Sequence, residues 1–189
     1  WEVDEFNKFI ATVENIDNKE TYDTLFLTGL RIGELCALRW CDLDLEHKKL
    51  SVRGSFSTAS RKVTSPKTKT SIRTIDLPNR LVEELKQRYE RKKKLDGFND
   101  LYYVFGDIAV TWPGTFRYRF NNDLKNVDVK HITIHGFRHS HASYLLSNPM
   151  ISESLVAERL GHSIDMLRST YAHIYEKRRT ALVEYIEKL

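Results

Sequence analysis

The sequence predicts a mainly α-helical domain with a small antiparallel β-sheet, an α+β fold class. Apolar residues recur every three or four positions through most of the chain, as in amphipathic helices. They alternate with polar residues only in the region of residues 50–77, as in half-buried strands. The chain has 189 residues, of which 41% are hydrophobic, so one domain can form a core without a disulfide or a metal.

Three helices are predicted in the first 40 residues. The first presents one apolar face, formed by Phe6, Phe9, Ile10 and Val13. We expect Asp4 to cap this helix, because a short polar side chain can accept a hydrogen bond from the first turn. The second helix starts near Tyr22 and ends at Gly29, and the third covers residues 31–38.

The period of the pattern then changes from that of a helix to that of a strand. Residues 50–56 alternate between apolar and polar side chains, and residues 72–77 form a second short strand. The polar, basic stretch 57–71 between them is long enough for a hairpin with an extended tip.

The rest of the chain is predicted to be helical. A helix restarts at Pro78, and a turn follows at residues 97–100. Further helices are expected over residues 115–125, 135–146, 153–160 and 165–172. The last helix, within residues 175–189, carries an apolar stripe made of Leu182, Ile186 and Leu189.

Composition excludes several classes of protein. No run of about 18 apolar residues predicts a membrane span, and no basic-then-apolar leader predicts secretion. Cys36 and Cys41 form neither a disulfide framework nor a CxxC zinc motif, so we expect a reducing cytoplasm. The start at Trp1 predicts a fragment of a longer protein.

Positive charge is concentrated in one segment. Residues 51–100 carry 13 Lys/Arg and 6 Asp/Glu, whereas residues 1–50 carry 6 Lys/Arg and 11 Asp/Glu. A polyanionic partner explains such an excess. For the run at residues 91–94, we favour a solvated helix end whose charge complements the helix dipole.

Five separated motifs contain the residue types that phosphodiester chemistry needs. Arg31 follows a glycine turn, His135 and Arg138 are three residues apart, and His162 and Tyr171 follow downstream. Two arginines can bind the oxygens of a phosphodiester and stabilise its transition state without a metal. A tyrosine hydroxyl can attack the phosphorus if a group such as histidine accepts its proton, and a lysine such as Lys67 can protonate the leaving oxygen.

Other interpretations of these residues remain open. His135 and His139 are four residues apart and can bracket a metal, but no third ligand is obvious. His139, Ser140 and His141 are similar to the paired histidines of HUH nucleases, although those flank a hydrophobic residue on a strand. Taken singly, most of these residues also fit a structural role, such as a helix cap or a surface ion pair.

In combination, the motifs TGLRIGEL, SPKT, HGFRH and LGH, with a tyrosine nine residues after LGH, resemble the catalytic domain of phage-integrase-type tyrosine recombinases. The resemblance covers nearly the whole chain. The positions that match the family's catalytic residues are Arg31, Lys67, His135, Arg138, His162 and the nucleophile Tyr171. Glu34 and His139 would support the site, and Lys69 and Arg73 are candidate DNA contacts.

The resemblance implies the tyrosine recombinase catalytic-domain fold over residues 1–189, without the DNA-binding region that precedes it in the family. It implies an enzyme that cleaves and rejoins double-stranded DNA through a 3′-phosphotyrosyl intermediate, with no cofactor or metal. Lys67 would protonate the leaving oxygen, His135 would accept the tyrosine proton, and His162 would donate a hydrogen bond to the phosphate.

The resemblance also implies a homotetramer on two DNA duplexes, in which the helix at 175–189 docks either on a neighbouring protomer or on its own core. We expect the isolated fragment to be monomeric. The expected setting is a bacterial cytoplasm, with the protein encoded by bacterium or phage and associated with the nucleoid. The alternatives are a type IB topoisomerase and a DNA-binding module without catalytic activity.

Overall fold

The computed structural model describes residues 1–65, 72–125 and 127–188, in which helices enclose small antiparallel sheets. The helices are α1 (Val3–Ile10), α2 (Ile16–Thr28), α3 (Ile32–Ala37), α4 (Asn79–Lys92), α5 (Pro113–Leu124), α6 (Gly136–Ser147), α7 (Glu153–Leu160), α8 (Ile164–Thr170) and α9 (Ala172–Ile186). The strands are β1 (Leu43–Asp44), β2 (Lys49–Val52), β3 (Ser55–Ser57), β4 (Lys62–Thr64) and β5 (Arg73–Asp76). The predicted fold class, mainly α with a small antiparallel sheet, is confirmed.

The N-cap of helix α1 lies two residues before its predicted position. The backbone N–H of Glu2 donates to the carboxylate of Glu5 at 2.9 Å, so Glu2 is the N-cap. The prediction that Asp4 caps the helix is therefore wrong, and Asp4 lies within the first turn. There its negative charge still stabilises the positive end of the helix dipole.

Helix α2 ends at Gly29, as the sequence predicts. Gly29 has φ +67°, a left-handed conformation that costs an L-residue with a side chain more than it costs glycine. A Cβ atom at this position would lie 2.7 Å from the ring of His141 and 2.9 Å from the side chain of Leu160. Helices α6 and α7 therefore pack closely against the end of α2.

The predicted strand at 50–56 is split into two at Arg53 and Gly54. Before the split, β2 pairs with β1 and β5, and Leu50 lies opposite Ile75 in the core. After it, β3 pairs with β4 across a short turn that includes Arg61, at φ 55°. The first part of the stretch 57–71, predicted as an extended hairpin tip, instead completes a second hairpin of β3 and β4. Residues 66–71 lie outside the described residues.

A cluster of aromatic rings forms the main core. Phe6 of α1 stacks on Phe26 of α2 at a centroid distance of 3.8 Å, nearly parallel. Around them, mostly tilted and edge-to-face contacts join further buried rings, namely Phe9, Tyr22, Phe120 and Phe137. These contacts join α1, α2 and α5 to the start of α6.

A second, smaller core lies among α6, α7, α8 and the start of α9. Its buried apolar residues include Ala142, Val156, Leu160 and Leu167. Tyr171 belongs to this cluster, because its ring is buried between α8 and α9. The predicted helix over 165–172 ends one residue before Tyr171, whose φ of −115° and ψ of 30° are not helical.

Several basic residues of the segment 51–100 are paired with acidic residues of α2. Arg88 of α4 is buried and donates to Asp17 and Glu20 of α2, at 2.6 Å in each case. Arg91 also pairs with Glu20, and Arg80 pairs with Asp23 at 2.6 Å. Within the described residues no helix is both long and apolar enough to cross a membrane.

Candidate active site

Arg138 is held at the point where the ends of two helices meet. It lies in the first turn of α6 and is only 2% exposed. One terminal nitrogen donates to the carbonyl of Gly29 and the other to that of Leu160, both at 2.6 Å. These carbonyls close α2 and α7, whose negative dipole ends favour a cation. The guanidinium position is therefore fixed by the fold.

His162 lies directly beside this arginine. The Nη2 atom of Arg138 donates to Nε2 of His162 at 2.8 Å. Burial, together with the charge of Arg138, lowers the pKa of His162 to about 4. Burial and the charge of Arg31 likewise lower the pKa of Arg138, to about 9, which still leaves the guanidinium charged at neutral pH. A charged arginine and a neutral imidazole thus lie side by side.

Glu34 joins the first arginine to a second one. The backbone N–H and the Nη1 of Arg31 both donate to its carboxylate at 2.9 Å. Arg73 donates to the same carboxylate through two nitrogens, at 3.0 and 2.8 Å. Burial raises the pKa of Glu34, but the hydrogen bonds and the charge of Arg73, with those of Arg31, outweigh burial and lower it. Glu34 therefore acts as a charged support for Arg31.

Arg73 is placed differently from the prediction. Its side chain is 3% exposed, and its Nε donates to the backbone carbonyl of Arg159 at 2.7 Å. Each of its three nitrogens already donates within the protein, and the carboxylate of Glu34 neutralises its charge. The partners of Arg138 among the described residues are neutral groups instead. We therefore correct its role from a DNA contact to a buried partner of Glu34.

Tyr171 is buried, and its hydroxyl lies 3.1 Å from Nδ1 of His139. The two rings meet edge to face with centroids 5.9 Å apart. Burial raises the pKa of Tyr171, and the charge of Arg138 opposes that rise. The phenol is thus protonated at neutral pH and needs a proton acceptor before it can act as a nucleophile.

His135 precedes α6 and contacts the other histidine rather than the tyrosine. Its ring meets the ring of His139 edge to face, with centroids 4.8 Å apart. Desolvation lowers the pKa of His135, and the nearby His139 and Arg138 lower it further. No group of three metal-ligating side chains occurs among the described residues, so the pair of histidines has no third ligand there.

Lys67 and Lys69 lie outside the described residues. The described chain leaves β4 at Thr64 and forms β5 from Arg73. The predicted general-acid role of Lys67 and the predicted DNA contact of Lys69 therefore remain predictions from the sequence.

A second layer of polar residues, which the motifs do not reveal, supports the site. Arg159 donates to Nε2 of His141 at 3.0 Å and to the carbonyls of Leu27 and Asp76. His141 lies 2.8 Å from the carbonyl of Phe26, and burial with the charge of Arg159 lowers its pKa to about 3. A partly buried arginine has no sequence signal of its own. Its position next to the LGH motif is the one available hint.

The geometry suits a reaction at a phosphodiester. Arg138, His162 and Tyr171 share one region at the ends of α2, α6, α7 and α8, and Arg31 is held beside it through Glu34. Fixed cationic donors stabilise charge that develops on a phosphoryl group, because they need no reorganisation during the reaction. The Tyr171 hydroxyl can act as a nucleophile, and the histidine beside it can accept the proton that the hydroxyl loses.

The chain is similar to integrases in both family and sequence comparisons. Residues 2–178 match the model of the phage integrase family. The ICEBs1 integrase of Bacillus subtilis (strain 168) is 31% identical over 202 residues, which cover 100% of this chain and 54% of that protein. The integrase of Staphylococcus phage L54a is 30% identical over 176 residues, 86% of this chain and 49% of that protein. The chain thus spans about half the length of the curated relatives it matches.

Solved structures share the fold. The crystal structure of XerA recombinase superposes with a TM-score of 0.73 at 22% identity, covering 95% of this chain and 64% of the other. The Tn1549 transposon integrase, in complex with circular intermediate DNA, has a TM-score of 0.73 at 22% identity, covering 98% of this chain and 66% of the other.

Proposed function

The chain belongs to the phage integrase family, and we propose that it cleaves and rejoins DNA at specific sites through a 3′-phosphotyrosyl intermediate. The observation that carries the proposal is the placement of the Tyr171 hydroxyl, 3.1 Å from a histidine on the helix that also holds the buried Arg138. This arrangement brings a nucleophile, a proton acceptor and a phosphate-binding cation together.

In the proposed reaction, Tyr171 attacks the scissile phosphorus and leaves a free 5′-hydroxyl. Arg31 and Arg138 bind the non-bridging oxygens, where guanidinium groups make charge-assisted hydrogen bonds. His162 donates a further hydrogen bond to the phosphate, as its match to the family motif suggests, once phosphate binding replaces the contact in which Nε2 accepts from Arg138. One of the two histidines at the start of α6, His135 or His139, accepts the proton of the tyrosine hydroxyl.

We further propose that Lys67 protonates the departing 5′-oxygen, as its match to the family motif suggests. Lys67→Ala should then cleave ordinary DNA slowly, because an alkoxide is a poor leaving group at neutral pH. Replacing the bridging 5′-oxygen by sulfur gives a leaving group that departs without protonation, so this substrate should restore the rate of Lys67→Ala. Lys69→Ala is the matched control and should need no rescue. Rescue of Lys69→Ala instead would move the acid to that residue.

Double-stranded DNA is the proposed substrate. A solved relative of the same fold, the Tn1549 transposon integrase, is bound to DNA, and the curated relatives are integrases and recombinases. We place the protein at the nucleoid of a bacterial cell, where such a substrate is found.

We propose that the active form is a homotetramer on two duplexes, in which α9 docks on a neighbouring protomer. The apolar residues near the end of α9 are more than half exposed on their own chain, as is shown by Leu182 at 57%, Val183 at 55% and Ile186 at 54%. Elsewhere on the surface, α2, α6 and α7 line a mostly apolar cavity of about 420 Å³ that can receive such side chains. Burial of these residues on a partner would stabilise the assembly.

Sedimentation of the protein with and without DNA tests this assembly. The double variant Leu182→Asp/Ile186→Asp should remain monomeric on DNA, because it places charges on the proposed contact surface. Leu101→Asp, at a residue 62% exposed and distant in sequence from α9, is the control and should assemble normally. Normal assembly of the α9 variant would contradict docking in trans.

Covalent capture of a nicked duplex tests the function itself. The probe is a library of nicked duplexes with random sequence, which covers all target sequences and from which captured members are amplified and identified. The wild-type chain should form an adduct and enrich particular sequences. Tyr171→Phe should form none, whereas the matched control Tyr175→Phe should still form one. Relaxation of supercoiled plasmid that lacks the enriched sequence would favour the alternative of a topoisomerase. If the wild type captured no DNA, the result would favour a DNA-binding module without catalytic activity.

A further inference from the structure

The contact between Tyr171 and His139 distinguishes two histidines that the sequence does not rank. Nδ1 of His139 lies at hydrogen-bond distance from the tyrosine hydroxyl. The ring of His135 instead packs edge to face on His139, and its side chain makes no hydrogen bond among the described residues. Among the described residues, His139 is therefore the histidine in direct contact with the reacting oxygen.

Both partners of this contact are held by the surrounding fold. His139 follows Arg138, whose guanidinium is bound to the ends of α2 and α7. Tyr171 is fixed from the other side, because its ring is buried in the small core with Leu160 and Leu167. A nucleophile and its base react efficiently only when their separation is held near hydrogen-bond distance.

His139 also has a route to solvent. It lines an open cavity of about 810 Å³ between α1, α6 and the start of α9. Ser140, Ser143 and His173 contribute polar groups to the same cavity. Water in this cavity can hydrogen-bond to the imidazole and stabilise the imidazolium until religation returns its proton to the tyrosine oxygen.

We propose that His139, rather than His135, is the catalytic residue that accepts the Tyr171 proton, an inference that rests on the proposed function. The bond from Oη to phosphorus forms as the bond from phosphorus to the 5′-oxygen breaks, and its electron pair leaves with that oxygen, which the general acid protonates. The phenolic proton moves to Nδ1 of His139. In religation the 5′-hydroxyl attacks the phosphorus and gives its proton back to the deprotonated general acid. The bond from phosphorus to Oη breaks with its electron pair on Oη, and the imidazolium returns its proton to that oxygen.

The charge state of the histidine agrees with this role. Desolvation lowers the pKa of His139, and the charge of Arg138 lowers it further. The ring is consequently neutral at physiological pH, with a lone pair available on one nitrogen.

The test separates proton transfer from positioning by changing the acidity of the nucleophile. His139→Gln keeps a hydrogen-bond acceptor but cannot take the proton, so adduct formation on a captured nicked duplex should slow by about 100-fold or more. A ring-fluorinated tyrosine incorporated at position 171 is more acidic and ionises without a base. With it, His139→Gln should cleave at the rate of the equally fluorinated wild type. His173→Gln, which alters the same cavity, is the control and should cleave normally.

His135→Gln is the second comparison. If this substitution slows adduct formation, the fluorinated tyrosine should not restore the rate, because His135 does not accept the proton. If fluorination rescued His135→Gln instead, or if the defect of His139→Gln persisted, the proposal would be overturned. An unslowed His139→Gln would overturn it as well. Thermal denaturation verifies that the variants fold, with His139→Asn as the substitute if the glutamine variant does not. An adduct formed by Tyr171→Phe would instead contradict the proposed function.

Discussion

Replacing Arg73 by methionine removes one of the two positive charges that hold Glu34. The side chains of Arg73 and Glu34 are 3% and 5% exposed, and two hydrogen bonds of 3.0 and 2.8 Å join them. Methionine offers an apolar chain that can occupy much of the same space. The carboxylate therefore stays buried, and Arg31 is the charged partner that remains to it among the described residues.

The expected cost follows from this burial. Removing one member of a buried ion pair costs about 3–5 kcal/mol, because the remaining charge is left uncompensated. We expect the lower end, about 3 kcal/mol at neutral pH, since Arg31 still donates to Glu34. In a chain of this length, that loss lowers the Tm by roughly 6–12 °C.

The loss of stability caused by Arg73→Met should become smaller as the pH falls. In the wild type the pKa of Glu34 is lowered, so this group contributes stability above its unfolded pKa of about 4.3. That contribution is lost as the pH falls through the lowered, folded pKa. Without Arg73 the pKa of Glu34 rises. The difference in stability between the two proteins should therefore be largest at neutral pH and shrink in acid.

Urea denaturation followed by circular dichroism, at neutral pH and at about pH 4 near the glutamate pKa, measures both effects. Arg168→Met is the control, because Arg168 pairs at 2.9 Å with Glu153 on the surface, with 61% of its side chain exposed. Such a pair contributes little to stability, because solvent screens it. A cost for Arg73→Met below about 1 kcal/mol at neutral pH, or one that does not shrink in acid, would refute the buried-pair reasoning.

Gly29→Ala should destabilise the protein by about 2 kcal/mol in thermal denaturation, because left-handed backbone and a Cβ 2.7 Å from His141 both oppose alanine. Gly97→Ala, also left-handed but with more room, should cost less. NMR titration should find His141 and His162 neutral at about pH 5.5, since their pKa values are lowered to about 3 and about 4; protonation near the ordinary value of about 6.5 would contradict their placement. Affinity for random-sequence duplex should fall steeply with salt in a titration, because phosphate contacts release counterions; a flat response would argue against a phosphate-binding surface.

Features that depend on neighbouring residues are those that the sequence predicts well. Helix α7 has its predicted bounds, because the side chain of Ser152 caps it and Gly161 ends it in a left-handed conformation. Gly29 ends α2 in the same way. The order of the family motifs is likewise a property of the sequence, so the membership of the chain could be anticipated without a structure.

Features that depend on distant partners could not be predicted. Arg73 lies in the most basic part of the sequence and therefore suggests a DNA contact, but Glu34, 39 residues earlier, draws it into the interior. Similarly, Arg88 and Arg91 of α4 are paired with acidic residues of α2. The negative first quarter and the positive second quarter of the chain thus partly neutralise each other.

The placement of Tyr171 is a third case. Local pattern continues the helix through this residue, whereas packing in the small core ends α8 at Thr170 and turns the tyrosine inward. Its contact with His139 joins residues 32 positions apart. No local signal distinguishes His139 from His135, four residues earlier in the same motif, as the neighbour of the hydroxyl.

Peptide mapping of the covalent protein–DNA adduct by mass spectrometry tests the proposed reaction most directly. The captured duplex carries a label on the strand 5′ to the break, and the released strand is assayed for a hydroxyl that polynucleotide kinase can phosphorylate. The proposed reaction predicts one modified peptide, joined through the oxygen of Tyr171 to a 3′-phosphate, together with a free 5′-hydroxyl. A linkage to another residue, or to a 5′-phosphate, would contradict it.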